Sequence, residues 1–116
     1  MIRRNHEMKT EFREQMREGV GTVTIKHLFR QEELKGKIRL VAEVTIPVGG
    51  SIGFHHHENE AEIFYVISGQ GKFDDNGIIE TVNPGDATIT GDGNGHSIEN
   101  SGSEPLVLLA TILLNA

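Results

Sequence analysis

Hydrophobic and polar positions alternate in short runs along most of the chain after residue 21. The runs are rich in β-branched residues, and Gly, Pro, Asn and Asp separate them at short intervals, which is typical of strands joined by tight turns. Short strands spaced this closely favour a closed or double-sheet antiparallel architecture. We therefore predict an all-β fold, with strands at 21–29, 37–46, 51–57, 62–67, 72–73, 78–82, 87–90, 96–99 and 106–114.

The first residues show a different and mostly polar pattern. Met8, Phe12 and Met16 recur every four residues, which would place them on one face of a short helix that ends at the glycines that follow. An extended arm fits the same composition equally well. We predict two parts, an N-terminal arm at residues 1–20 and a barrel domain at residues 21–116.

The composition is that of one small domain without thiol chemistry. A chain of 116 residues is long enough for one hydrophobic core. Because the sequence has no cysteine, disulfides and thiolate ligands are excluded, and a metal would have to bind to nitrogen and oxygen atoms. The sequence shows neither a run of ~20 apolar residues nor an apolar secretory signal. We expect a cytoplasmic protein that does not associate with membranes.

Charge is distributed unevenly along the chain. Residues 1–40 carry ten Lys and Arg against six Asp and Glu, a balance of +4, whereas residues 41–116 carry one basic residue against eleven acidic ones, a balance of −10. An acidic body with a basic arm is a poor match for nucleic acid, which selects a basic surface. The asymmetry indicates either an ordinary solvated surface or an arm that docks on an acidic body.

Four of the six histidines lie between positions 55 and 96. Side chains two apart on a strand point to the same face, ~7 Å apart along the backbone, so His55 and His57 can converge on one ion. His56 points to the opposite face and is not expected to be a ligand. A hairpin over the turn 58–61 would bring the Glu62 carboxylate back beside the two imidazoles.

His96, which follows a glycine-rich run on a distant strand, completes a set of three imidazoles and one carboxylate. In a six-coordinate ion such a set leaves two positions for water, O₂ or a chelating substrate. It suits Mn, Fe, Co, Ni or Zn without choosing sharply among them. The alternative is that the segment FHHHENE is a polar surface loop, since His-x-His by itself does not establish a metal site.

Two ordered spacings extend the pattern beyond the histidines. The first runs Gly49, five residues, His55-x-His57, four residues, Glu62, six residues, Gly69. The second runs Gly85, five residues, Gly91-x-Gly93, two residues, His96, three residues, Asn100.

Together the two spacings resemble the two signatures of the cupin superfamily, over about residues 37–114. Gly91 departs from the pattern, which prefers proline at this position. Glycine makes the turn less rigid, but the departure removes none of the implied ligands. The resemblance implies a double-stranded β-helix, the small jelly-roll barrel, with a metal in its mouth. It implies a structural role for Asn100 and a homodimer that exchanges N-terminal strands. It also implies the metal ligands His55, His57, Glu62 and His96.

Alternation along the strands predicts which other side chains face the interior. Phe64 and Val66 share the inward parity of Glu62, and Ile98 shares that of His96, so we expect these three to line the cavity. Tyr65 falls on the other face, where we expect packing and not catalysis.

Several charged residues near these strands allow two interpretations. Glu58 and Glu60 are expected to be solvated turn residues, although either could support a ligand from behind. Arg39 and Glu43 share one strand face and could be exposed. If they point inward, Arg39 is the best candidate to bind a substrate carboxylate, because guanidinium pairs with it through two hydrogen bonds.

His6 and His27 have no evident partner in the sequence. We expect both to be surface or packing residues.

Three functions are compatible with these features. The first is an enzyme in which the metal polarises or oxygenates a small carboxylic acid, diketone or sugar derivative, as an oxygenase, decarboxylase or isomerase. The second is a binding or sensing module in which the metal anchors a small ligand without turnover. The third is a structural or storage protein with a vestigial site, which the presence of all four ligand types disfavours.

Overall fold

The fold consists of ten strands in the computed structural model, which describes residues 1–115. The strands are β1 (Lys9–Glu14), β2 (Thr22–His27), β3 (Ile38–Ile46), β4 (Ser51–His56), β5 (Glu60–Ser68), β6 (Gly71–Asp75), β7 (Ile78–Val82), β8 (Ala87–Thr90), β9 (Gly95–Asn100) and β10 (Leu106–Leu114).

The strands form two antiparallel sheets. The larger sheet has the order β1-β2-β3-β10-β5-β8, and the smaller has the order β4-β9-β6-β7. Most neighbours are distant in sequence, and consecutive strands such as β3, β4 and β5 change from one sheet to the other. This is the double-stranded β-helix, or jelly roll, that the sequence predicts.

Helical structure is limited to three short 3₁₀ segments within residues 1–115, at Asn5–Glu7, Met16–Glu18 and Gln31–Leu34. No helix in that range has the length and hydrophobicity needed to cross a bilayer.

The core lies between the two sheets and follows from the alternation of side chains. Buried residues recur at every second position over the second half of β3, the middle of β5 and most of β10, because successive side chains of a strand point to opposite faces. The buried apolar side chains belong to Val23, Ile25, Ala42, Val44, Ile46, Ile52, Phe64, Val66, Phe73, Val82, Ile98, Leu106, Leu108, Ala110 and Ile112.

Residues 9–14 form a strand, so of the two interpretations of this segment the helical one is wrong. β1 pairs along its whole length with β2, from Lys9 opposite His27 to Glu14 opposite Thr22. The extended alternative prevails because a neighbouring strand offers hydrogen-bond partners, whereas a short isolated helix is marginally stable.

The segment that follows β1 crosses closely over β4. An added Cβ at Gly53 would lie 1.9 Å from the carbonyl oxygen of Arg17, so glycine alone permits this approach. Two hydrogen bonds fix the crossing: the Ser51 amide donates to the Val20 carbonyl at 2.8 Å, and the Val20 amide donates to Ser51 Oγ at 2.9 Å. The crossing places Arg17 over the strand that carries His55.

Asn100 has the structural role that the resemblance implies. Its side-chain amide donates to the carbonyl oxygens of Ile46 at 3.0 Å and Glu104 at 2.8 Å, and its Oδ1 accepts from the Gly102 amide at 2.9 Å. The buried side chain thus satisfies three backbone groups where β9 ends.

Candidate metal centre

Four side chains converge in the barrel interior, with one donor atom of each within 4.8 Å of the others: His55, His57, Glu62 and His96. His57, Glu62 and His96 are buried and His55 is half-buried. The Nε2 atom of His57 is 3.1 Å from that of His55 and 3.1 Å from that of His96, and the latter two are 3.2 Å apart. Glu62 Oε1 lies 3.0 Å from His57 Nε2 and 3.1 Å from His96 Nε2.

Both sheets contribute to this cluster. His55 and His96 are direct partners in the β4–β9 ladder of the smaller sheet. Glu62 belongs to β5 of the larger sheet, where it pairs with Thr90 on β8. The predicted hairpin that would place Glu62 beside the histidines is therefore wrong, because β4 and β5 lie in different sheets and do not pair. The carboxylate instead meets the imidazoles across the barrel interior.

The second nitrogen of each imidazole has its own partner. The Nδ1 contacts are 2.7 Å from His55 to the Gly53 carbonyl oxygen, 2.7 Å from His57 to Glu60 Oε2, and 2.9 Å from His96 to Thr90 Oγ1. Carbonyl and carboxylate oxygens only accept hydrogen bonds, so Nδ1 of His55 and of His57 carries the proton. In the neutral imidazoles, Nε2 then presents a lone pair to the centre of the cluster.

These donors fit a divalent cation. Two imidazole lone pairs and a carboxylate oxygen that face each other at about 3 Å repel one another unless a proton or a cation lies between them. Nitrogens ~2.1 Å from a common ion would be about 3.0 Å apart at right angles and about 3.4 Å apart at tetrahedral angles. The observed nitrogen–nitrogen separations of 3.1 and 3.2 Å lie between these values. The cluster could therefore hold a metal ion with little rearrangement.

The protonation states also suit a cation. Burial would raise the pKa of Glu62, but hydrogen bonds from His57 and His96 lower it to about 2, so the carboxylate is ionised. Burial lowers the pKa of His55 to about 4, so this imidazole is neutral at pH 7 and available as a ligand. The hydrogen bond to Glu62 is the main cause that raises the pKa of His57. A cation would take the place of the proton that His57 and Glu62 share.

Aromatic and aliphatic side chains of the core pack against the cluster on the side away from the cavity. The Phe64 ring stacks on the His96 ring with centroids 5.1 Å apart and planes 9° apart. Phe64, Val66 and Ile98 point into the interior as predicted, but they pack in the core and do not line the cavity above the cluster. Tyr65 is 45% exposed on the outer face of its strand, as predicted.

A cavity of about 260 Å³ opens onto His55, His57 and Glu62. Its other walls combine apolar side chains with charged and polar ones, and three arginines from different elements are among the charged ones. The charged and polar side chains that line it are Glu11, Arg13, Arg17, His27, Gln31 and Arg39.

Two of these arginines come from the N-terminal segment. Arg13 Nε donates to Glu11 Oε2 at 3.1 Å. Arg17 has no ion pair with any residue in the part of the chain that the structure describes. The Arg17 guanidinium is close enough to His55 to contribute to the lowering of its pKa. Arg17 therefore presents an uncompensated positive charge to the cavity beside His55.

Arg39 reaches the cavity because of a β-bulge. Leu40 pairs with Ile112 and Ile38 pairs with Leu113, so Arg39 is an extra residue in the β3–β10 ladder. A bulge redirects the side chain of the extra residue. Of the two residues predicted to share a face, Arg39 thus lines the cavity, whereas Glu43 lies 3.4 Å from Lys26 Nζ outside it.

His27 was missed as a cavity residue by sequence reasoning. Its Nε2 lies 2.6 Å from Glu11 Oε1, and both side chains line the cavity. The pair depends on the β1–β2 register, which the helical interpretation of residues 8–16 could not provide. Glu60 is not a solvated turn residue: its carboxylate lies behind His57, as the second of the two predicted alternatives requires.

The fold and the cluster define a small jelly-roll protein with a buried three-histidine, one-carboxylate site. The family model described as "Cupin domain" matches residues 42–112. The chain belongs to the cupin family, as the two sequence signatures indicate.

Known proteins resemble the chain over nearly its full length. A protein named "Oxalate-binding protein" from Thermotoga maritima is 42% identical over 114 residues, which are 98% of this chain and 94% of that protein. A crystal structure from Thermotoga maritima, described as a predicted oxalate decarboxylase, matches with a TM-score of 0.94 and 42% identity over 98% of this chain and 99% of that one. KdgF from Halomonas sp. shares the fold at 19% identity, with a TM-score of 0.76 over 97% of this chain and 93% of that one.

Proposed function

We propose that this cupin holds one divalent transition-metal ion through His55, His57, Glu62 and His96 and binds a small dicarboxylate of the oxalate class beside it. The observation that carries the proposal is the placement of three arginines in the same cavity as the cluster. The similar Thermotoga maritima protein named for oxalate binding supports the choice of ligand. Mn, Fe, Co, Ni and Zn all suit three imidazoles and one carboxylate.

The charges of the cavity favour an acid over the other ligand classes. Arg17 carries a charge that no described residue neutralises, and Arg13 and Arg39 lie on other walls. Guanidinium groups bind planar carboxylates through two parallel hydrogen bonds, which neutral diketones and sugars cannot match. A dicarboxylate can chelate the ion with one side and meet the arginines with the other. The cavity volume of about 260 Å³ restricts the ligand to a small one.

Binding without turnover is the first candidate. A decarboxylase must deliver a proton to carbon, and two carboxylates outside the predicted ligand set, Glu11 in the cavity wall and Glu60 behind His57, are poor donors. A hydrogen bond from His27 lowers the pKa of Glu11, and hydrogen bonds from Arg39 and His57 lower that of Glu60. Both carboxylates are therefore ionised at neutral pH.

Decarboxylation is the second candidate, and the His27–Glu11 pair favours it. His27 lines the cavity and its ring is oriented by the Glu11 carboxylate at 2.6 Å. The bound ion would act as a Lewis acid on the substrate carboxylate. Cleavage of the carbon–carbon bond of oxalate releases CO₂, and a proton from His27 on the remaining carbon gives formate, so atoms and charge balance.

Other expectations from the sequence are retained as proposals. A homodimer through the N-terminal segment is supported by the position of β1 at one edge of the larger sheet, where Phe12 is 70% exposed. The division into an arm at residues 1–20 and a barrel at residues 21–116 and a cytoplasmic location also stay proposals. The acidic balance of the barrel supports a partner that is a small molecule and not a nucleic acid.

Calorimetric titration of the Mn²⁺-loaded protein tests the ligand class. We expect oxalate to bind at least tenfold more tightly than acetate or acetylacetone. Arg17→Gln should weaken oxalate binding about tenfold while metal content is retained, since a charged hydrogen bond is lost. Arg4→Gln, which changes an exposed arginine outside the cavity, is the matched control. Equal binding of oxalate and acetate, or of the parent and Arg17→Gln, would overturn the proposal.

Product analysis separates the two candidates. Formate and CO₂ from ¹³C-labelled oxalate, lost in His27→Gln, would favour decarboxylation. Tight oxalate binding with no product would favour the binding module.

A further inference from the structure

Glu60 connects two groups that otherwise serve different purposes in the site. Its Oε2 accepts the Nδ1 proton of His57 at 2.7 Å and a hydrogen bond from an Arg39 terminal nitrogen at 2.9 Å. Its Oε1 accepts from Arg39 Nε at 3.1 Å. The Arg39 guanidinium therefore forms hydrogen bonds with both oxygens of the carboxylate that contacts His57.

The fold makes this connection through strands that are not neighbours. Arg39 lies on β3 and Glu60 on β5, and the two strands flank β10, about 10 Å apart. The Arg39 side chain spans that distance at the bulge in the β3–β10 ladder. Both partners are long, and a guanidinium fork matches the two carboxylate oxygens in a way that an ammonium group cannot.

Burial makes the contacts of Glu60 effective. The side chain of Glu60 is 16% exposed and that of His57 is 2% exposed, so little water competes for the hydrogen bond between them. Arg39, at 40%, is the exposed end of the chain of contacts. The exposed fraction of the side chain therefore decreases from Arg39 through Glu60 to His57.

We propose that Glu60 is a positioning residue for the metal ligand His57 and that Arg39 acts on the metal centre through Glu60. The carboxylate keeps the proton of His57 on Nδ1 and directs the Nε2 lone pair at the ion. Arg39 holds the carboxylate in place, so the geometry of a buried ligand depends on an arginine in the cavity wall. The proposal rests on the metal centre of the proposed function. It selects Glu60 over Glu58 as the supporting carboxylate, and it adds Arg39, which the sequence suggested only as a residue that binds substrate.

Arg39 then differs in role from Arg17. The Arg39 guanidinium is already engaged by Glu60, whereas Arg17 has no ion pair among the described residues. Removal of Arg39 should therefore weaken metal binding even when no dicarboxylate is present. Removal of Arg17 should weaken binding of the dicarboxylate and leave metal binding unchanged.

Metal affinity of the full-length protein, measured by competition with a chromogenic chelator for Co²⁺, tests the proposal. We expect Glu60→Gln to lower the affinity about 10- to 100-fold. It should also shift the visible absorption of bound Co²⁺, because the orientation of one ligand changes. Glu58→Gln is the matched control, since Glu58 is an exposed carboxylate in the same turn that makes no hydrogen bond within residues 1–115.

A double-mutant cycle tests the link to Arg39. Arg39→Met should lower Co²⁺ affinity in the parent background and have no further effect in the Glu60→Gln background, since both substitutions remove one chain of contacts. Circular dichroism of the metal-free variants checks that each is folded. Arg39→Met changes the most exposed residue of the contact series Arg39–Glu60–His57.

The outcomes separate this proposal from the proposed function. A parent that binds Co²⁺ while Glu60→Gln has the same affinity and spectrum as Glu58→Gln would overturn the positioning role and leave the metal centre standing. Additive effects of Arg39→Met and Glu60→Gln would overturn the link between the two residues. A parent that binds no ion after reloading would overturn both proposals.

Discussion

His55 and His96 are separated by 41 positions in the sequence, yet they are opposite each other in the β4–β9 ladder with Nε2 atoms 3.2 Å apart. Backbone hydrogen bonds of the ladder therefore fix the distance between these imidazoles. His56, the residue next to His55, points away from the cluster, and its Nδ1 lies 2.9 Å from the Gly93 carbonyl oxygen. Because a carbonyl oxygen only accepts, that nitrogen is the donor.

The first prediction concerns the metal content of protein purified without a histidine tag. His96→Ala should lower the affinity for the ion by more than about a hundredfold, since even the loss of a supporting group costs 10- to 100-fold. His56→Ala is the control and should retain the metal. Elemental mass spectrometry measures both, and metal retained in His96→Ala, or absent from the parent after reloading, would contradict the ligand set.

The second prediction concerns the pH dependence of the metal-free protein. Burial lowers the pKa of His55 to about 4 in the folded chain, against 6.5 for an unperturbed histidine. Between these pH values the unfolded chain takes up a proton that folded His55 does not, so this residue makes the free energy of unfolding fall as the pH falls from 6.5 to 4. The raised pKa of His57 acts in the opposite sense, because its contribution is lost as the pH rises.

Urea denaturation in the presence of a chelator, at pH 7, 6, 5 and 4, measures this dependence. The variant His55→Asn should show a smaller loss of unfolding free energy over the same range, because the residue that resists protonation is gone. Identical slopes in the parent and the variant would contradict the assignment of a lowered pKa to His55.

The third prediction concerns the crossing of the N-terminal segment over β4. Gly53→Ala would place a Cβ 1.9 Å from the Arg17 carbonyl oxygen and should destabilise the protein by about 1–3 kcal/mol, because the backbone must move. At Gly102 an added Cβ would meet Gln70 at an ordinary 3.5 Å, so Gly102→Ala is the matched control and should be close to neutral. Chemical denaturation compares the two, and equal midpoints would show that the crossing is not tightly packed.

The fourth prediction concerns assembly. If the N-terminal segment joins two copies, the parent should sediment as a dimer and Phe12→Asp should sediment as a monomer. Ile78→Asp is a control of the same kind, since Ile78 is 67% exposed on the smaller sheet and Phe12 is 70% exposed on the larger one. A monomeric parent, or a dimer that survives Phe12→Asp, would contradict assembly through this segment.

Local patterns in the sequence predicted the all-β architecture and the four side chains that converge in the barrel interior. Alternation with a period of two identifies inward residues such as Phe64 and Val66 whatever the neighbouring strand is. The same period places His55 and His57 on one side of a strand. The two ordered spacings then add Glu62 and His96. These spacings resemble the signatures of a family, and such a resemblance can be recognised before any contact in the structure is known.

The tertiary structure alone decided the walls of the cavity and the groups that contact the imidazoles of the cluster. Arg39 reaches Glu60 because β3 and β5 flank β10 and because a bulge redirects one side chain, and neither fact has a local signal. His27 meets Glu11 because β1 pairs with β2 in one particular register. A strand's own sequence fixes which way its side chains point, whereas their partners depend on which distant strands become its neighbours and in what register.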